Sequence, residues 1–278
     1  MKLGAESFTI IDDITADLEG TLAKLQALDF KYLEWLNRNS STNIGIGGRT
    51  PQEARKLLAG YGITVVGAIA SDAPNWKTFY LDTDAVKRVI DWYQELGCTT
   101  FGTAIDFFPD MDFLERRLEA YNKIGEICKA AGMSFMYHNH SHEWADMEGK
   151  TVFDRIVEGT DPELVGFDVD TYWAYRGNVD PTGLIRKLGR RVKSIHVKDF
   201  PADREEFRDI SGDLGKAVPA DFTECGKGVI DWQSIVDACN EIGVPYMFVE
   251  QDHTTLASKY ETLRDSRAYM RTLRGVED

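Results

Sequence analysis

Cysteine is scarce in this 278-residue chain, and the four present, Cys98, Cys128, Cys225 and Cys239, lie far apart. No Cys-x-x-Cys pair occurs, which argues against a thiolate zinc site or a dithiol redox motif. Long apolar runs are also missing: nothing approaches the ~18 apolar residues of a membrane-spanning helix. Positive charge is in deficit, with 32 Lys and Arg against 46 Asp and Glu, a net charge of −14. Phosphate-backbone binding draws its affinity from clustered Lys and Arg, so nucleic acid is not an expected partner. An anionic membrane surface is disfavoured for the same reason. The opening Met1-Lys2-Leu3-Gly4-Ala5-Glu6 lacks the apolar stretch of a secretory signal, so the expectation is a cytoplasmic protein with reduced thiols. The glycines between Thr42 and Thr50 do not have Gly-x-Gly-x-x-Gly spacing, so no dinucleotide fingerprint is present.

What is there is a regular alternation of short apolar runs and amphipathic runs. Strands are expected at 3–10, 32–36, 63–69, 99–103, 133–137, 164–169, 192–197 and 245–249. A helical pattern follows each of them. Thr15 is the expected cap of the first helix, and Thr50-Pro51 opens the second. Asp112, with Glu115 three residues on, is expected to cap the helix that Gly132 ends. Asp180-Pro181 and Asp231 open later helices. Eight strand–helix units imply right-handed crossovers and a parallel sheet, and about 250 residues suffice to close it. The expected fold is a single (β/α)8 TIM barrel over residues 1–278, with an open doubly wound sheet as the alternative. Two long loops, at 42–50 and 199–228, are expected over the barrel mouth.

Histidine is as scarce as cysteine, but its five copies are not scattered. Three lie in Tyr137-His138-Asn139-His140-Ser141-His142-Glu143-Trp144, one in Ile195-His196-Val197-Lys198-Asp199, and His253 follows Glu250-Gln251-Asp252. Each group ends an apolar run, where the active site of such a barrel lies. The other polar residues at strand ends are Glu6, Glu34, Thr103, Asp106, Asp168 and Asp170. So many carboxylates converging beside imidazoles would repel one another without a cation. A divalent metal held by His196, Asp170 and Glu250 resolves that repulsion. A mostly oxygen ligand set suits Mn2+ best, with Mg2+, Co2+ or Zn2+ as alternatives. Asp168 could equally belong to the barrel interior or to a salt bridge. Lys198 could pair with Asp199, His142 reads as a loop residue, and His253 as a surface or supporting one.

The run Tyr137-His138-Asn139-His140-x-x-Glu143-Trp144, with Phe167-Asp168-Val169-Asp170, Ile195-His196-Val197-Lys198-Asp199, Gly226-x-Gly228-x-x-Asp231-Trp232 and Val249-Glu250-Gln251-Asp252, resembles the sugar phosphate isomerase/epimerase group of xylose isomerase-like barrels. The resemblance covers the whole chain. It implies one divalent ion held by Glu, Asp, His and Glu from the last four strands, carried here by Asp170, His196 and Glu250. At the fifth strand many epimerases have Glu where this chain has His138, so either His138 or Glu143 would complete the set, and Glu143 is favoured. His140 or Glu250 would take the α-proton, and Lys198 would hold a substrate oxygen or steady an enolate. His138, Trp144, Trp173 and Lys198 would contact substrate, with Trp35 and Tyr172 as further candidates for an apolar floor. The implied substrate is a small keto-sugar or keto-cyclitol, and the implied reaction isomerisation or epimerisation through an enediolate. The alternative is a lyase of the same group, an inosose-type dehydratase or one cleaving 3-keto-glycosides. An abasic-site endonuclease shares the barrel but needs more histidines and fits the charge poorly. A non-catalytic sugar-binding barrel would hold no metal. A homo-oligomer is compatible with the sequence.

Overall fold

The computed structural model describes residues 1–38, 44–70, 81–208 and 217–277. Eight parallel strands close into a barrel: β1 (Lys2–Glu6), β2 (Tyr32–Asn37), β3 (Thr64–Ala70), β4 (Thr100–Thr103), β5 (Ser134–His138), β8 (Val165–Asp170), β9 (Val192–Val197) and β10 (Tyr246–Val249). Around the barrel they run β1-β10-β9-β8-β5-β4-β3-β2. The two remaining strands, β6 (Asp146–Met147) and β7 (Lys150–Thr151), form a small hairpin beyond β5. Helices fill the crossovers: α1 (Ile11–Ala16), α2 (Leu18–Ala27), α3 (Pro51–Gly60), α4 (Thr83–Leu96), α5 (Met111–Ala130), α6 (Val152–Gly159), α7 (Thr171–Arg176), α8 (Pro181–Leu188), α9 (Trp232–Ile242) and α10 (Lys259–Met270). The closed barrel expected from the alternation is therefore the fold observed. No helix among the described residues is long and apolar enough to cross a membrane.

Seven strands match the expected spans to within one residue at each end. The exception is the first, which stops at Glu6 and gives way to a 3-10 turn at Ser7–Ile10. Two caps differ as well. Thr15 lies inside α1 and donates back to the Ile11 carbonyl, while Asp17 caps α2. Asp110 rather than Asp112 caps α5, its carboxylate accepting from Phe113 N at 2.8 Å. Asp110 follows Pro109, and its extended backbone (φ −158°) suits a cap, which leaves Asp112 inside the first turn. The loop at 42–50 lies partly outside the described residues. So does the 199–228 loop, of which 209–216 are not described.

Strand residues alternate between two environments because the pleat has period two. One face looks outward to the helices and is apolar: Leu3 and Ala5, Leu33 and Trp35, Phe135 and Tyr137, Val165, Phe167 and Val169, Ile195 and Val197, Met247 and Val249 all belong to the main core. The other face looks into the barrel, and toward the C-terminal ends it is polar: Glu6, Glu34, His138, Asp168, Asp170, Ser194, His196 and Glu250 are all buried there. Register sets neighbours at matching heights, with Glu6 beside Glu34, His138 beside Asp168, and Asp170 beside His196. Gly67 makes room for this. A Cβ there would stand 2.5 Å from Thr100 Oγ1 and 3.0 Å from Glu34 Oε1.

Past β9 the chain is tied down by one carboxylate. Asp199 accepts from the backbone N–H groups of Phe200, Gly226, Gly228 and Ile230 and from the Trp232 indole, at 2.8–3.2 Å. This fastens 226–232 to the end of β9 and leaves Asp199 unavailable to Lys198. Hydrogen bonds to a charged group contribute about 1.5–3 kcal/mol each, and a buried donor left unmade costs a similar amount. Asp199→Ala should therefore lower stability by about 3 kcal/mol or more. Urea unfolding measures the loss, and hydrogen exchange should show faster exchange concentrated at 226–232.

Candidate active site

The C-terminal ends of the strands open on a cavity of about 250 Å3. Its two sides differ. His138, His140, His196, Lys198, Glu250 and Asp252 supply a polar wall from β5, β9 and β10, together with Glu6 of β1. Phe8, Leu36, Ile69, Ala104 and Ile105 supply an apolar wall from the first four strands, and Trp173 of α7 stands at the polar rim.

Within the polar wall, His138, Asp170, His196 and Glu250 bring four donor atoms to within 4.8 Å of one another, all from buried side chains. Asp170 Oδ2 is buried without a hydrogen bond, although Lys198 Nζ lies 3.1 Å away. The same ammonium stands 2.6 Å from Glu250 and 2.6 Å from Asp252. Deeper in the barrel, His196 Nε2 contacts Glu34 Oε2 at 2.5 Å and Asp168 Oδ2 at 2.9 Å, while its Nδ1 faces Glu250 Oε2 at 3.0 Å. Asp168 also meets His138 Nδ1 at 3.0 Å and accepts from Ser194 Oγ at 2.7 Å.

The electrostatics follow from burial. Glu6, Glu34, Asp168, Asp170 and Glu250 are buried carboxylates, set against the buried Lys198 and His196. Burial opposes charge on both cations, yet the surrounding carboxylates push them well above their ordinary values: Asp168, Glu250 and Glu34 act on His196, and Asp170, Asp252 and Glu250 on Lys198. Burial would raise Glu250, but Lys198 and His196 hold it well below the usual carboxylate range. Glu34, buried and beside Asp168, is pushed up to about 7 despite His196. Burial and Glu250 push Glu6 well above its ordinary value. Buried carboxylates outnumber buried cations here, and Asp170 Oδ2, which meets the Lys198 ammonium but makes no hydrogen bond, marks the place where a further cation would relieve them. The cluster therefore fits a divalent ion, with two imidazoles and two carboxylates as donors.

Glu143 corrects an expectation. It was favoured over His138 as the fifth-strand ligand, but its carboxylate accepts from Tyr137 Oη at 2.7 Å and from the His140 backbone N–H at 3.0 and 3.1 Å. It lies five residues beyond the strand end, in a 3-10 turn that folds it back under the chain. Trp144 also departs from expectation. It packs on Phe153 at 4.2 Å between ring centroids and covers Gly177, away from the cavity. Trp35 faces the outer core, and Tyr172 lies beneath Trp173 with its hydroxyl accepting from Arg176. Asp106 serves α5 by pairing with Arg117 and Tyr121 at 2.7 Å. His142 stacks on Phe107 and holds the Asp106 carbonyl through Nε2, and His253 packs on Phe222. Asp252 was missed as a partner of Lys198. Its signal was available, because Glu250 and Asp252 share the two-residue spacing of His196 and Lys198.

His140 does line the cavity. Its ring stands edge-on to His138 at 4.9 Å and 5.4 Å from Trp173, with Nδ1 buried and unpartnered. Burial, reinforced by His138, His142 and Lys198, holds its pKa well below the ordinary imidazole value. The ring is thus held in its neutral form at neutral pH.

A closed parallel barrel with a charged C-terminal mouth defines the class: a TIM-barrel enzyme scaffold. The profile of the xylose isomerase-like TIM barrel family matches residues 22–273, and the chain belongs to that family. An inosose dehydratase of Geobacillus thermodenitrificans is 24% identical over 255 residues, covering 83% of this chain and 85% of that one. An inosose dehydratase of Lacticaseibacillus casei is 27% identical over 164 residues, or 57% of this chain and 54% of that protein. Among solved structures, a sugar phosphate isomerase/epimerase of Parabacteroides distasonis superposes with TM-score 0.82 at 21% identity, over 99% of this chain and 95% of that one. A probable 3-DHS dehydratase of Bacillus anthracis superposes with TM-score 0.70 at 11% identity, over 99% and 100% of the two chains. These structural likenesses show the fold.

The burial of His140 sets a pH signature. A histidine whose folded pKa is depressed leaves the unfolded chain holding more protons between the two values. Its contribution to stability is therefore present above about pH 6.5 and is lost as the pH falls below it. In an NMR titration the His140 ring should stay neutral at pH 6. A midpoint at or above 6.5 would contradict the depressed value.

Proposed function

We propose that this protein is a divalent-metal-dependent lyase that removes water, or another β-leaving group, from a keto-cyclitol or keto-sugar. One observation carries the choice over an isomerase or epimerase. With Glu143 committed to Tyr137 and the turn, the fifth strand offers only imidazoles to the cavity. A two-base epimerase needs a second proton-transfer group on the opposite face of the substrate carbon. The apolar wall of Phe8, Leu36, Ile69 and Ala104 offers none among the described residues. The inosose dehydratases to which the chain is similar support the same reading.

His138, Asp170, His196 and Glu250 would hold the ion. Two carboxylates balance a dication, and two imidazoles favour Mn2+, Co2+ or Zn2+ over Mg2+, which prefers an all-oxygen shell. When bound, the ion polarises the substrate carbonyl and steadies negative charge on its oxygen. His140, neutral and with a free ring nitrogen in the cavity, takes the α-proton. Expulsion of the β-hydroxyl follows, and return of that proton to the departing oxygen releases water. Lys198, anchored by Asp170, Glu250 and Asp252, presents positive charge to the substrate oxygens. Trp173 Nε1, buried without a partner at the rim, is a donor for a ring hydroxyl.

The decisive assay uses Mn2+-loaded protein and an inosose in D2O. The expected outcome is an unsaturated product with loss of water. Deuterium at the α-carbon without elimination would instead assign an isomerase or epimerase. His140→Ala should reduce kcat by about 10²–10⁴-fold, the usual range for removing a general base. Because His140 is depressed, the acid limb of kcat/KM should fall below pH 6.5. Asp170→Asn and Glu250→Gln should each purify without stoichiometric metal by elemental analysis, whereas Glu143→Gln should retain it.

A further inference from the structure

His196 and His138 both lean on one carboxylate that the chemistry above does not use. We propose that Asp168 is a positioning residue that sets opposite tautomers in the two imidazoles and so decides which nitrogen of each faces the ion. This inference rests on the metal reading of the site.

Asp168 is fully buried and makes three contacts. Its Oδ2 lies 3.0 Å from His138 Nδ1 and 2.9 Å from His196 Nε2, and its Oδ1 accepts from Ser194 Oγ at 2.7 Å. An ionised carboxylate can only accept, so both ring nitrogens facing it must carry N–H. Without a metal the carboxylates favour the doubly protonated His196 ring. A ring that ligates a metal must give up one proton, and the nitrogen facing Asp168 keeps its N–H while the other supplies the lone pair. His138 is thereby left to ligate through Nε2, and His196 through Nδ1, the nitrogen that faces Glu250 at 3.0 Å. Glu34 supports the second assignment by lying 2.5 Å from His196 Nε2.

A second ion in the deeper group of Glu34, Asp168 and His196 is the competing reading, and a distance decides against it. Two donors each about 2.1 Å from one ion, at right angles, stand about 3.0 Å apart, and further apart in a tetrahedral site. The 2.5 Å between Glu34 Oε2 and His196 Nε2 is too short for two ligands of one ion and suits a charge-assisted hydrogen bond. The upper group also offers four donor side chains against three in the lower group. The lower group therefore orients, and the upper group coordinates. The arrangement also explains the buried Ser194. Its hydroxyl occupies the second Asp168 oxygen and holds the carboxylate between the two rings.

Loading the intact protein with 113Cd2+ and labelling its histidines with 15N tests this directly, because only five imidazoles contribute signals. Cadmium–nitrogen coupling is expected at Nε2 of His138 and Nδ1 of His196, with N–H signals at His138 Nδ1 and His196 Nε2. Asp168→Asn, which replaces one acceptor oxygen by a donor, should weaken Zn2+ binding by about 10–100-fold, as loss of a partner to a ligating histidine does. Coupling at the opposite nitrogen of either ring, or unchanged Zn2+ affinity in Asp168→Asn, overturns the inference and leaves the metal reading standing. Failure of the wild-type protein to bind Zn2+, Cd2+ or Mn2+ at all overturns both.

Discussion

The constraint on which this molecule depends is the two-residue alternation of a closed parallel barrel. Each strand sends one row of side chains outward to the helices and the next row inward, where rows from eight strands face one another. Outside, that geometry assembles an apolar core from Ala5, Leu33, Phe135, Phe167, Ile195 and Met247. Inside, it brings Glu6, Glu34, Asp168, Asp170 and Glu250 into one enclosed space. Enclosure raises the cost of each charge, and proximity makes that cost mutual. Lys198 and His196 offset part of it, and a dication held as proposed would offset more.

The same enclosure divides the interior into two levels with different tasks. At the mouth, donor atoms are spaced so that an ion could lie among them, and one oxygen of Asp170 makes no hydrogen bond and meets only the Lys198 ammonium. One level down, Glu34 and Asp168 contact the rings at 2.5–3.0 Å and hold them from below. Residues two apart supply both levels: Asp168 and Asp170 on β8, and Ser194 and His196 on β9 with Lys198 just past its end. On the proposed reading, an alternating polar strand end makes a layered site, with orientation beneath and chemistry above. Asp199, two residues past the end of β9, points the other way and ties down the loop that carries Trp232.

The fold was highly legible, because strand–helix alternation and turn chemistry are local. Most strand bounds followed from apolar runs, and Thr50, Asp180 and Asp231 announced their helices correctly. The Asp110 and Asp112 exchange shows the limit of such signals, since two acids near a helix start read alike until the backbone of each is known. Asp170, His196 and Glu250 were legible as a group because each ends a strand. The fifth-strand position was not. His138 and Glu143 are both reasonable ligands by type, and only the turn after β5 turns one inward and the other back onto Tyr137.

The sequence by itself therefore determined the number of strand–helix units, the polar residues at their ends and the excess of negative charge, since each is a property of local pattern or composition. The tertiary structure alone decided which of those residues share a cavity. Barrel closure and register set distances between strands that are remote in the chain, such as the 162 residues separating Glu34 from His196. That long-range pairing sets Asp168 beneath two imidazoles and removes Glu143 and Trp144 from the site, because packing and hydrogen bonding between strands and turns, rather than residue type, fix where each side chain points.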